Sequence, residues 1–276
     1  MPIEAAARGP RGWFELYGAL LRSAWLVDLQ YRASLAIWLF WGMTEPLISL
    51  AIWWSVAGGG EVGGYGRAEF ARYFFGVVLV NQLTLAWDAY YVDRWIRGGE
   101  LNHRLARPVA PIHEAIADNI AYKLRSAAVV LILWSGFAAL WPAVRVPFEP
   151  ARWAAAALAT LFAAGIRFLN GYATGLLAFW LTRATAVMEL QFGLSLFLSG
   201  RIAPLALLPA GAAAVAGVLW FPYMLAFPVE VLTGTVPLGA EYARGIAIQV
   251  LWLAAWFAAY RWVWTRGLRR YGAVGG

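Results

Sequence analysis

The sequence predicts an all-α integral membrane protein with six transmembrane helices, and three observations carry that prediction. Of its 276 residues, 62% are hydrophobic and only 13% charged, where an average soluble domain is roughly half apolar and about a quarter charged. The 17 Trp, 12 Tyr and 15 Phe are the side chains that anchor a protein at membrane interfaces. Apolar stretches long enough, or nearly so, to cross about 30 Å of hydrocarbon recur along the chain.

Residues 1–33 come first and form an amphipathic interfacial helix. Arg8, Arg11, Glu15, Gly18 and Arg22 step by three and four along one face, with Trp13, Leu16, Tyr17, Leu20 and Ala24 opposite. Such a helix lies in the headgroup plane. The membrane domain occupies 34–264, with spans near 34–57, 70–92, 119–141, 152–181, 185–200 and 243–264. The segment 201–238 is too apolar for a water-exposed loop, and Pro204, Pro209, Pro222, Pro228 and Pro237 interrupt it too often for a span. Short helices entering and leaving on the same side fit it, an outer re-entrant segment whose broken backbone is covered by protein. A basic tail, 265–276, ends the chain.

Orientation follows from the cations. With the N-terminus inside, fifteen of the 22 Lys and Arg fall on the inner side, six on the outer, and Arg167 within a span. That bias predicts a multi-pass protein with both termini cytoplasmic. The net charge of +7 is thereby read as topology rather than as a nucleic-acid footprint. Arginine in place of lysine suits a GC-rich bacterial genome.

Several chemistries are excluded. The chain has no cysteine, which removes thiolate metal sites, iron–sulfur clusters and cysteine nucleophiles. Its sole lysine, Lys123, follows Tyr122, so no P-loop is present. His103 and His113 both sit between spans two and three, and neither a zinc-protease nor a serine-hydrolase motif occurs. The expectation is no catalytic residue, no metal and no cofactor.

Polar residues within the spans remain: Glu45, Asn81, Asp88, Arg167 and Asn170, with Glu189 at the start of span five and Glu230 in the broken segment. An ionised group at mid-bilayer costs about 2.5–3.5 kcal/mol on insertion scales, so each should face protein or water. Glu45 and Arg167 sit at similar depths and are expected to meet, as a structural pair or as part of a pathway. Asp88 and Glu189, near the inner interface, are expected to be hydrated.

The loop 93–118 is the longest polar segment. Gly98-Gly99 breaks the chain, Glu100 to Leu105 can form one or two helical turns, and Pro108 and Pro111 stop them. Leu101 and Leu105 share a face, with Arg104 and Arg107 beside them, a short amphipathic element that suits docking of a soluble partner. Gly99-Glu100-Leu101-Asn102, then Leu105, Arg107-Pro108-Val109 and Pro111, resemble a signature of the permease subunit of bacterial type-2 ABC exporters. Pro204-Leu205, Leu208-Pro209, Phe221-Pro222, Phe227-Pro228 and Gly234 resemble that family's outer segment; within the loop signature, Asn102 stands where Asp is frequent. The resemblance implies a transporter half in the bacterial plasma (inner) membrane. Separate ABC ATPase subunits would drive it, and a second permease, a copy or a sister chain, would complete it among membrane lipids. Residues 13–30 would be its connecting helix, 97–107 its cytoplasmic coupling helix, and a hydrophobic or amphipathic molecule its cargo. The alternative is an ion-gradient-coupled secondary transporter using Glu45, Arg167 or Asp88.

Overall fold

The structure, a computed structural model, describes residues 10–30 and 32–272. Arg8 and the side chain of Arg11, both assigned to the polar face of the first helix, lie outside the described residues, as does the end of the basic tail. Among the described residues regular structure is helical, apart from one bridge between Val62 and Tyr65. The helices are α1 (Pro10–Gln30), α2 (Arg32–Ala57), α3 (Arg67–Thr84), α4 (Asp88–Arg97), α5 (Leu101–Leu105), α6 (Pro111–Leu140) and α7 (Pro150–Gly175). They continue with α8 (Ala184–Leu198), α9 (Ala210–Val218), α10 (Phe221–Met224), α11 (Ala226–Thr233) and α12 (Ala240–Arg270).

Three of these are long and apolar enough to cross a membrane: α6, α7 with its 3₁₀ extension to Phe179, and α12. Pro111 and Pro150 open α6 and α7 at a position where a missing N–H costs no helical hydrogen bond. Helix α8 has 15 residues, about 22 Å at 1.5 Å per residue, and is short for a full crossing. Apolar side chains face outward along these elements, among them Leu140 (85% exposed), Ile132 (73%) and Leu251 (68%). A belt of that kind is an aggregation hazard in water and at ease in hydrocarbon.

Three boundaries differ from the sequence reading, and the first is the start of α6, which lies at Pro111 rather than near 119. The stretch 70–92 is not one helix: α3 stops at Thr84, residues 85–87 are non-helical, and α4 restarts at Asp88. No proline or glycine marks the break. Thr84 Oγ1 donates to the carbonyls of Val80 (2.9 Å) and Asn81 (3.3 Å), and such back-bonding competes with the helical ladder. At the other end, α12 carries on to Arg270, so the first residues of the basic tail are helix.

Helix α1 turns Trp13, Leu16, Tyr17 and Leu20 partly inward and buries Ala24, leaving Glu15, Gly18 and Arg22 exposed. It packs on the start of α6, where the Trp13 ring lies tilted against His113 at 5.1 Å and Tyr17 Oη meets His113 Nδ1 at 2.8 Å. Burial raises the Tyr17 phenol above its ordinary value, which keeps it protonated and able to donate.

Two apolar cores lie at opposite ends of the bundle. The far-end core gathers Phe70, Tyr73, Phe74, Val144, Phe227 and Val229 from α3, the 142–146 turn and α11. The loop-end core gathers Trp95, Leu101, Ile112, Tyr172, Phe179 and Tyr260 from α4, α5, α6, α7 and α12. Between α4 and α7 the spacing of Gly171 and Gly175 lets backbones touch, as small residues four apart do between membrane helices. A Cβ on Gly175 would lie 2.6 Å from the Ala89 carbonyl oxygen, and one on Gly171 would lie 3.0 Å from Asp88 Oδ2.

Candidate functional site

The loop between α4 and α6 is held from both sides. Arg97 at the end of α4 binds Asp93 (2.7 Å) and reaches the carbonyls of Leu181 (2.9 Å) and Thr182 before α8. Gly99 takes φ +73°, a left-handed conformation that a side chain disfavours, and there the chain turns into α5. Helix α5 is one turn, followed by Pro108 and closed by Pro111 at the start of α6.

The two α5 leucines do not share an exposed face. Leu101 is 2% exposed and belongs to the loop-end core, whereas Leu105 is 39% exposed. A single turn seated on α4 and α6 cannot present both, and the first leucine anchors it. Arg104 also turns inward. Its guanidinium lies 4.2 Å over the Trp95 ring and pairs with Glu100 (3.3 Å) and Glu114 (3.2 Å). Arg107 pairs with Glu114 at 3.4 Å and Arg94 with Glu100 at 3.5 Å, both with exposed side chains. What α5 and the residues after it show to the outside is His103, Leu105, Ala106, Arg107 and Pro108.

A second set of polar residues runs along α7. Arg167 donates through Nη1 to Asn81 Oδ1 (2.9 Å) and Thr84 Oγ1 (3.1 Å) of α3. One turn on, Asn170 is buried with its Nδ2 unpartnered among the described residues. Thr174 then reaches Gln191 of α8 at 3.2 Å. The expected meeting of Glu45 with Arg167 does not occur as a bond. Glu45 is within electrostatic reach of Arg167, but its carboxylate pairs with Arg201 at 2.7 Å. Gly200, at φ +81°, turns the chain after α8 so that Arg201 points back at α2. The same turn accepts from Trp53 (to the Ile202 carbonyl, 2.8 Å) and from Tyr73 (to the Gly200 carbonyl, 2.7 Å). Trp53→Phe removes one of these bonds and is expected to cost about 0.5–1.5 kcal/mol, read as a small fall in apparent melting temperature in detergent.

Asp88 also departs from expectation. It is 4% exposed rather than hydrated, with neither carboxylate oxygen hydrogen-bonded among the described residues. Glu189, by contrast, is exposed. The sequence offered signals for part of this: Gly200 ends the stretch of α8 as Gly98-Gly99 ends that of α4, and Gly171-x-x-x-Gly175 marks a close helix contact. Nothing local marked Thr84 or Trp53 as partners of the site.

Among the described residues no group of three or more His, Cys, Asp or Glu could hold a metal ion. Neither the curated proteins nor the solved structures compared with the chain gave a match. A family of membrane transporters does match: over residues 42–275, from within α2 to beyond the end of α12, the chain fits the family described as ABC-2 family transporter protein, and it belongs to that family.

Proposed function

We propose that the chain is the permease subunit of an ATP-binding cassette exporter, driven by separate ATPase subunits. Its family consists of membrane proteins without ATPase domains, and ATPase partners go with it generally. The observation that carries the proposal is the surface of the α4–α6 loop. Leu105, Arg107 and Pro108 stand out from a turn that is rigidly seated by Leu101 and Arg104, as a contact transmitting movement requires.

In this reading the loop end and both termini are cytoplasmic, α1 is the connecting helix, and α9 to α11 form a re-entrant cap on the outer side. Six spans result when α2, α3 with α4, and α8 are counted with the three long helices. A second permease completes the path, and the cargo is hydrophobic or amphipathic, since the polar residues on α7 are few and mostly bonded. Asn81 and Arg167 then brace α3 against α7.

The competing reading, gradient-driven transport, needs titratable groups at work in the membrane. Glu45 is taken by Arg201, and Arg167 by Asn81 and Thr84, which leaves Asp88 as its one candidate among the three. The test uses vesicles containing the purified chain and a fluorescent amphiphile. With a proton gradient and no ATPase, no movement is expected; adding the ATPase subunit and ATP starts it. Movement driven by the gradient alone would overturn the proposal.

A further inference from the structure

Arg167 lies well inside α7, one of the three helices long enough to cross a membrane, and its hydrogen-bond partners are neutral. It spends one nitrogen on structure, Nη1, which donates to Asn81 and Thr84. Its Nε and Nη2 bond to nothing among the described residues. The residue is only half-buried, and neither of these nitrogens is sealed off. Asp88 is the opposite case, with both carboxylate oxygens enclosed. We propose that Arg167 and Arg201 hold the anionic group of an amphiphile, a carboxylate or a phosphodiester.

Charge is the first reason. Glu45 ties the two arginines to one place: it pairs with Arg201 at 2.7 Å and acts on Arg167 as well. Arg201 is itself the charged group that acts most strongly on Arg167, so two like charges are held together inside the bundle. Asp88 and Lys123 complete the cluster. Among the described residues it therefore holds three cations against two acids. An unbalanced charge within a membrane is costly, and one oxyanion balances this one.

The free donors are the second reason. Nε and Nη2 of Arg167 form one edge of its guanidinium, the fork that meets both oxygens of a carboxylate or phosphate. Arg201 gives Nη2 to Glu45 and keeps Nη1, which is unbonded and likewise not sealed off. Apolar neighbours are the third reason. The Arg201 guanidinium lies 5.5 Å from the Phe192 ring centroid. Phe192 is exposed, as is Ile48, one helical turn from Glu45. A ligand anchored at the arginines has apolar surface beside it, which suits an amphiphile better than an inorganic anion. The cargo of the exporter is then anionic, a step that rests on the transport proposal, whereas the test contains neither ATPase nor ATP. Binding without ATP-driven movement would leave the site standing and overturn the exporter; movement without binding would do the reverse.

The full chain in detergent is titrated with phosphatidylglycerol and phosphatidylcholine of equal acyl length, and with oleate and oleyl alcohol. Bound molecules are counted by native mass spectrometry. Phosphatidylglycerol, oleate or both should bind about tenfold better than the counterpart without net charge, as charge-assisted hydrogen bonds imply. Preference within the lipid pair alone assigns the site to a phosphodiester, and within the oleyl pair alone to a carboxylate. Arg167→Gln, whose amide can still donate to Asn81, should erase the preference. Arg201→Gln should reduce it, and decides the matter if Arg167→Gln fails to fold. Arg261→Gln, at an exposed position of α12, should leave it unchanged. That control separates the site from the general attraction of a chain of net charge +7 for anionic lipid. No preference in the wild-type chain, an unchanged preference in both site variants, or an equal loss in Arg261→Gln would overturn the proposal.

Discussion

Leu101→Asp is expected to unfold the loop end of the chain, while Leu105→Asp leaves it folded and, in the proposed complex, uncoupled. Leu101 is 2% exposed among Trp95, Ile112 and Tyr172. Removing a buried leucine side chain costs about 2–5 kcal/mol, and an unpaired carboxylate in its place adds to that. The measurable result is loss of monodisperse protein in detergent and a lowered apparent melting temperature. Leu105 is 39% exposed, so aspartate there meets solvent and melting should hardly move. In the proposed complex it meets the ATPase, and affinity should fall by about tenfold or more, read as loss of stimulated ATP hydrolysis. Equal effects from the two variants would mean that α5 is only a structural connection.

The ion pair between α2 and the turn after α8 gives the second large effect, and the two partners should not be equivalent. Arg201 is 8% exposed, whereas the Glu45 side chain is 31% exposed. Glu45→Ala strands a buried guanidinium and is expected to cost about 3–5 kcal/mol. Arg201→Ala leaves a partly exposed carboxylate, and should cost less. The double variant should recover part of the loss. Glu45→Ala combined with Arg167→Ala should be close to additive, because these residues share no bond. Strong coupling between Glu45 and Arg167, with none between Glu45 and Arg201, would contradict the structure.

Features written into neighbouring residues were legible in the sequence. Gly99 and Pro108 bracket the single turn of α5, whereas Pro111, read as a stop, opens α6. The two faces of α1 follow from steps of three and four, and the proline-rich stretch 201–238 resolves into the short helices α9, α10 and α11. Features decided by remote packing were not legible. The break after Thr84 carries no breaker residue; it lies where Asn81 and Thr84 serve an arginine that is 83 positions away from Thr84. Whether Leu101 or Leu105 faces inward depends on α4 and α6, since both lie on one face of an isolated turn. Glu45 found Arg201 rather than Arg167 because a left-handed glycine reverses the chain after α8, which equal depth in neighbouring spans does not reveal.

The absence of cysteine makes a direct test of the central claim available. Single cysteines replace Leu105 and Arg107 on the loop, and Phe148, 78% exposed beyond the opposite end of α6. Each full-length variant is treated in native membranes with a thiol-to-amine cross-linker, and the products are identified by mass spectrometry. The account predicts that an ABC ATPase is joined to the chain through positions 105 and 107 and not through 148. An ATPase joined only through 148, or no nucleotide-binding partner at any of the three positions, would contradict it.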